Sequence, residues 1–412
     1  MTAKINSSRL WNDILQTGEI GATERGGLCR LALSDDDRRV RAWFIDACRD
    51  AGCDVHFDDM CNIFARRPGR RPDLHPIAMG SHLDSQPTGG KFDGILGVLA
   101  GLEVIRTLNE HGIETDHPIE VIDWTNEEGA RFAPAMLGSG VFAGVLDKKE
   151  IYGCRDRDGL VFRDELERIG YRGEAVCGEH PLDSYFELHI EQGPILEAES
   201  KVIGIVQGVQ GMRWYDLVVH GSASHAGTTP MPMRRDALVA AAEIIVGING
   251  LPDEIGEGAL TTTGVIQAHP GSRNVVPERV VATVDLRHTN VETLDRMETR
   301  LESLVSQVCS GHNVSGHLET FWNSPPVEFH ADCIHAVRES AQAGKHSLRE
   351  ITSGAGHDAV YVSRLTPTAM IFIPCKDGIS HNETESAKLA HVGAGASVLL
   401  GAILSRDQQP LQ

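Results

Sequence analysis

The stretch that decides the fold is GSHLDSQPTGGKFDG, residues 80–94. The apolar run at residues 77–79 just ahead of it reads as a short buried strand that delivers His82 and Asp84 to a strand end. A glycine-rich loop then presents Asp93 immediately before residues 95–108. There Ile95, Leu96, Val98, Leu99, Leu102, Ile105 and Leu108 recur at helical spacing. A second buried run follows at residues 119–124 and ends at Thr125-Asn126-Glu127-Glu128-Gly129. Strand, helix, strand is the grammar of a mostly parallel α/β sheet, whose strand-end loops are where such folds hold their chemistry.

Toward the N-terminus, residues 35–51 have helical spacing, and residues 54–65 alternate and are expected to pair with the strand around Ile77. Toward the C-terminus, residues 147–177 are charged and irregular, with a helix near 164–169, and residues 185–190 form another strand ending in HIEQGP. After Gly208 the pattern changes. Strands at 214–220, 260–267, 279–287 and 314–321, with helices at 237–248 and 291–308, predict a compact α+β sandwich. From about Pro326 the chain returns, with a helix at 333–343, a buried strand at 369–374 and a closing helix at 385–404. The expected plan is therefore a catalytic domain from residues 1–211 and 328–412, with helices on both faces of its sheet, interrupted by a smaller domain at 212–327.

A length of 412 residues exceeds one ordinary core, and 41% hydrophobic with 23% charged residues is the balance of a globular protein. The nine cysteines are odd in number, scattered and nowhere in C-x-x-C spacing, which predicts reduced thiols in a cytoplasmic protein. No signal peptide is expected from MTAKINSSRLWNDILQTGEIG, and no apolar run approaches the roughly 18 residues of a membrane span. The net charge of -20 argues against a nucleic-acid partner.

His82, Asp93, Glu128, His189 and His381 each sit at the end of an apolar run or in the loop after it. In a parallel sheet those ends gather along one edge. Two metal ions need a bridging carboxylate with further nitrogen and oxygen ligands on each side, and Asp93 with the imidazoles and Glu128 supplies that set. Any one of these alone reads as an ordinary surface group or satisfied histidine; five at corresponding positions do not. Asp84, two residues after His82, faces the same side and can accept the imidazole N–H, as ligating histidines require, or can simply form the turn. Glu127 and Glu128 are adjacent and point apart, so one can bind metal while Glu127 stays free as a general base beside activated water.

GSHLDSQPTGGKFDG, TNEEGARF, HIEQGP, GSASHAGTTPM, SRNVVP, VDLRH, SGAGHDA and ISHNETE occur in this order between residues 80 and 385. Together they resemble the dinuclear-metal amidohydrolases of the M20 peptidase superfamily. More narrowly they resemble its hydantoinase/carbamoylase group of N-carbamoyl-L-amino acid hydrolases, β-ureidopropionases and allantoate amidohydrolases. The resemblance implies that His82, Asp93 and His189 hold one divalent ion and Asp93, Glu128 and His381 the other, with zinc, manganese, cobalt and nickel all suited. It implies Glu127 as general base, Gln192 on the ureido group, and His225 on the oxyanion from a partner subunit. Asn274 and Arg287 would bind substrate from the smaller domain, Arg287 as a carboxylate clamp.

Taken without their motifs, Gln192 and Asn274 read as turn residues, Arg287 as a solvated cation and His225 as a loop histidine. Gly356, in Gly354-Ala355-Gly356-His357, either offers backbone N–H groups to the substrate or forms a plain turn. The implied reaction is hydrolysis of an N-carbamoyl amino acid to the amino acid, carbon dioxide and ammonia. The implied assembly is a homodimer through a smaller domain that also acts as a lid. Allantoate or a dipeptide-like amide is the alternative substrate, and a non-catalytic metal- or ligand-binding relative is the alternative class.

Overall fold

The alternation of residues 54–67 is broken at Asp58–Asn62, and in the computed structural model, which describes residues 3–409, that break is a hairpin turn. The strands β1 (Asp54–Phe57) and β2 (Ile63–Arg67) pair antiparallel across it. Asp58 caps the turn, its carboxylate accepting the N–H groups of Met60 (2.9 Å) and Asn62 (3.0 Å). Next come β3 (Ile77–Ser81), β4 (Ile119–Asp123), β5 (Ser184–Ile190) and β6 (Ile203–Val209).

The expectation that residues 54–65 pair with the strand around Ile77 is not met. β3 lies between β4 and β5, parallel to both, and β2 runs antiparallel on the outer side of β4. The physical reason is burial. All five residues of β3 are inaccessible, whereas Arg66 and Arg67 at the end of β2 reach toward solvent. Arg66 thereby pairs with Glu120 across the β2–β4 register (3.1 Å).

The chain forms two compact units, one from residues up to Gly208 together with those from Glu328 onward, the other Val209–Val327. In the second unit, β7 (Gly211–His220), β8 (Ser224–His225), β9 (Leu260–Thr262), β10 (Ile266–His269), β11 (Val275–Val276), β12 (Arg279–His288) and β13 (Ser315–Ser324) occur in that order. The antiparallel sheet runs β10-β12-β7-β13, with β9 also on β12, while β8 and β11 form a separate ribbon. The single strand expected at 260–267 is thus two, β9 and β10. Strict alternation along β12 buries Val280, Ala282, Val284 and Leu286. These form one core with Ile244 and Ile248 of helix Ala237–Ile255 and Met297 and Leu301 of helix Val291–Gly311.

In the first unit β14 (Val327–Glu328), β15 (Leu348–Ser353) and β16 (Thr368–Ile373) follow. The larger sheet has the order β1-β2-β4-β3-β5-β16-β6, with β14 and β15 also on β6. Its centre, β4-β3-β5-β16, is parallel, and β16 meets β6 antiparallel. Alternation along β5 sends Glu187 toward helix Asp358–Val362, whose Ala359 N–H it accepts (3.1 Å), and Leu188 toward Gly395 of helix Leu389–Gln408. Helices therefore cover both faces. Helix Leu389–Gln408 is, by length and composition, apolar enough to cross a membrane, against the expectation that no segment would be. Its most apolar window is 61% buried in the unit, which makes it a core helix. It begins four residues later than expected, leaving Glu385 in a loop.

Candidate metal centre and active site

The loop after β3 carries His82 and Asp84, and the loop after β4 carries Glu127 and Glu128. His189 is the penultimate residue of β5, and the chain beyond β16 leads to Ser380 and His381. The chain leaves β3 for β4 on one side and then crosses to β5 on the other, so the crevice at β3 and β5 is the switch point of the sheet. Three of these loops turn on non-glycine residues in the left-handed region: Asn126 (φ 57°), Gln192 (φ 56°) and His381 (φ 53°). Such conformations cost of order 1–3 kcal/mol each and cluster at functional sites.

Asp93 lies at the centre. Its Oδ1 faces His189 Nε2 (3.1 Å) and His82 Nε2 (3.9 Å), while Oδ2 faces His381 Nε2 (3.4 Å). His381 Nε2 is in turn 3.3 Å from Glu128 Oε2, and His82 Nε2 is 3.4 Å from Glu127 Oε2. Two groups of donor atoms result, His82–Asp93–His189 and Asp93–Glu128–His381, each lying within 4.8 Å of one another and sharing Asp93. The two inner histidines are anchored in the same way at Nδ1. His82 Nδ1 donates to the Asp84 carbonyl (3.0 Å) and His189 Nδ1 to the Ile190 carbonyl (2.9 Å), leaving both Nε2 atoms toward Asp93.

The donor set fits divalent ions and is poorly satisfied by protein alone. Burial, joined by Asp358 and Glu128, holds the Glu127 carboxyl far above the ordinary range, and burial with Asp93 pushes Glu128 up to about 8. Burial opposes ionisation of Asp93 too, but hydrogen bonds from His189 and His381 keep it well below the carboxylate range. Burial lowers His82 to about 4, whereas Asp93 outweighs burial at His189 and raises it to about 9. A cluster of buried acids with imidazole nitrogens converging on one shared carboxylate is mixed nitrogen and oxygen ligation.

Gly94 completes the fit. At φ 68° its missing Cβ would stand 2.3 Å from the His82 ring, so only glycine admits the imidazole here.

The structure separates the expected residues into two sets. His82, Asp84, Asp93, Glu127, Glu128, His189, Gln192 and His381 converge. Asp84 does so differently from expectation: its carbonyl takes the His82 N–H, and its carboxylate accepts the N–H groups of Glu127 (3.1 Å) and Glu128 (3.2 Å). Gln192 Nε2 donates to Asp93 Oδ2 (2.9 Å), and its Oε1 is buried without a partner. Gly356 lies in the loop ahead of helix Asp358–Val362, beside the Met136 thioether.

His225, Asn274 and Arg287 belong to the second unit. The β8–β11 ribbon joins the first two, Ala226 N–H donating to the Asn274 carbonyl (2.9 Å). His225 is exposed, and its Nδ1 accepts from Gly227 (3.1 Å) and Thr228 (3.2 Å), so its proton resides on Nε2. Arg287, on β12, already holds a carboxylate, that of Asp285 (2.9 Å to Nε, 2.8 Å to Nη2).

Sequence reasoning missed Glu385, Ser380, Gln86 and the buried polar group of Glu187, His357 and Asp358. Gln86 fixes Glu128 through its N–H (3.1 Å) and its amide (2.8 Å). Glu187, His189 and His357 form a further triplet of ligand-type atoms behind the centre. Glu385 and Ser380 stand inside the quoted ISHNETE, but the apolar period of the helix beyond masked them. A separate group, His56–Glu120–His180, has its carboxylate already paired with Arg66 (3.1 Å) and His180 (2.6 Å).

Residues 78–405 match the profile of peptidase family M20/M25/M40. The N-carbamoyl-L-amino-acid amidohydrolase of Rhizobium meliloti is 45% identical over 401 residues, 97% of this chain and 96% of that protein. The corresponding protein of Geobacillus stearothermophilus is 37% identical, covering 96% and 97% respectively. The crystal structure of an amidase of the hydantoinase/carbamoylase family from Burkholderia multivorans is 50% identical, covers both chains completely and superposes with a TM-score of 0.95. With its strand-end ligand cluster and near-complete coverage of these relatives, the chain belongs to peptidase family M20/M25/M40, in the hydantoinase/carbamoylase branch of amidases.

Proposed function

We propose that this protein is a dinuclear-metal amidohydrolase that hydrolyses an N-carbamoyl amino acid to the free amino acid, carbon dioxide and ammonia. The observation that carries the reading is Asp93, whose two oxygens address two separate donor groups, as a ligand shared between two ions must. The names of the 45% and 37% identical relatives support the substrate class. His82, Asp93 and His189 would hold one divalent ion and Asp93, Glu128 and His381 the other. Bound there, zinc, manganese, cobalt or nickel would polarise the ureido carbonyl and ease deprotonation of water.

The chain's own groups supply the rest. Glu127, buried with its Oε2 3.4 Å from His82 Nε2, takes a proton from the attacking water and returns it to the leaving nitrogen. Asp84 aims it by holding two successive N–H groups of its loop. The unpartnered Gln192 Oε1 suits an N–H donor, which a ureido group offers. His225, protonated on Nε2, is a donor for the oxyanion when presented by a partner subunit, and Asn274 lies beside it. The Arg287 fork, now on Asp285, matches the substrate carboxylate by the same bidentate geometry, and Gly356 offers its backbone at the rim. A homodimer through Val209–Val327 and a cytoplasmic location, which nine free cysteines suit, belong to the same reading.

The test pairs Glu127→Gln with a substrate panel. The variant should bind metal as the wild type does while ammonia release falls at least about a hundredfold; undiminished turnover would overturn the mechanism. N-carbamoyl-L-amino acids should outperform the D- and β-isomers and allantoate, and preference for allantoate would move the substrate assignment.

A further inference from the structure

The shared carboxylate has to be turned so that one oxygen serves each donor group, and a carboxylate on a glycine-flanked loop does not hold that angle alone. Glu385, nearly three hundred residues away, holds this loop with one oxygen and Ser380 with the other. Oε1 accepts the N–H of Phe92 (2.9 Å) and of Asp93 (3.1 Å), clamping the backbone that carries the Asp93 side chain. Oε2 takes the Ser380 hydroxyl (2.9 Å), and the same hydroxyl lies 3.0 Å from Asp93 Oδ2. Gln192 Nε2 reaches both Asp93 Oδ2 (2.9 Å) and Ser380 Oγ (3.2 Å). The loop closes over this group at Gly90, where a Cβ would stand 2.1 Å from Glu385 Oε1. Glu385 is 7% exposed, and it lies within four residues of His381 in sequence, so one short segment delivers both a ligand of the outer group and the brace for the shared one.

We propose that Glu385, acting through Ser380 and the Phe92–Asp93 backbone, is the positioning residue that sets the rotation of Asp93 and thereby couples occupancy of the two metal positions. This rests on the reading of Asp93 as a shared ligand. Partners of this kind behind a metal ligand typically carry about 10- to 100-fold in metal affinity. Glutamine at 385 keeps an acceptor for the two N–H groups and offers its amide N–H to Ser380 Oγ, so the conservative change should preserve the brace.

The test uses the full-length protein stripped with chelator and titrated with manganese(II) alone, following heat and bound metal, beside the melting temperature of the metal-free form. Wild type should take up two ions per subunit. Glu385→Ala should bind at least one of them tenfold or more weakly, Ser380→Ala should show a smaller loss, and Glu385→Gln should stay within about threefold of wild type. A role confined to general stability would lower the metal-free melting temperature and leave manganese affinity alone. That result in Glu385→Ala overturns the proposal. Should Glu385→Ala fail to fold, Ser380→Ala decides it, since wild-type affinity there removes the link between Glu385 and the Asp93 carboxylate. Wild type taking up fewer than two ions would instead overturn the shared-ligand reading, and this proposal with it.

Discussion

Replacing Gly94 with alanine probes the proposed metal centre from the backbone, with every candidate ligand residue left in place. The residue has φ 68° and ψ -58°, a combination open to glycine and costly for any L side chain, of order 1–3 kcal/mol. The added Cβ would also meet three atoms of the His82 ring at 2.3–2.4 Å, more than 1 Å inside ordinary contact. His82 is 2% exposed, so the ring moves only by leaving its position toward Asp93 or by forcing the loop aside. Combining strain and overlap at roughly 3 kcal/mol or more predicts about a hundredfold loss of metal affinity. Manganese titration of the chelator-stripped protein measures it. Gly52→Ala is the control, because Gly52 has a similar φ of 79° and open space where its Cβ would go. It should lose about 1 kcal/mol of stability and bind metal normally. Wild-type metal affinity in Gly94→Ala would refute the assignment of His82 as a ligand held against that glycine.

Asp84→Asn exchanges one acceptor for a donor facing the Glu127 or Glu128 N–H, costing about 3 kcal/mol of local order; kcat should drop about a hundredfold with a lowered melting temperature, and an unchanged kcat would show that the Glu127 loop needs no brace. Asp58 gives a pH signature. Burial raises its folded pKa to about 6 from 3.8, so the folded state holds the proton more tightly. Its contribution is therefore fullest below about pH 4 and is lost as pH rises through about 6, amounting to about 3 kcal/mol. Urea unfolding at pH 5 and pH 7 should show a smaller stability loss across that interval in Asp58→Asn than in wild type, and identical pH slopes would contradict the shift.

What was legible in the sequence was short-range. The helical period of residues 95–108 and the strand-end histidines could be read because each depends on a few neighbouring residues, and a parallel sheet then brings such ends together. Pairing was not legible: residues 54–65 carry alternation but nothing that says β4 rather than β3, a choice made by which strand is buried on both edges. Glu385 was hidden by the apolar run that follows it, which made a loop acid look like the first turn of a helix. Glu187 and Asp358 gave no signal because a buried acid looks the same in sequence as an exposed one, and only their partners, Ser81 and Ser139 among them, distinguish the two. The spacing of Asp84 from His82 suggests a side chain serving the imidazole, whereas its backbone does that and its carboxylate serves the next loop.

Strand β16 fills a slot between β5 and β6, strands made more than a hundred residues earlier, with the whole of Val209–Val327 emerging in the meantime. Until residues 368–373 arrive, β5 has a row of unpaired backbone groups along the edge next to His189, the kind of edge that invites pairing with another chain. The strand that fills the slot is followed within twelve residues by Glu385. One late-made stretch of chain thus both seals the sheet and brings Ser380 and Glu385 to Asp93.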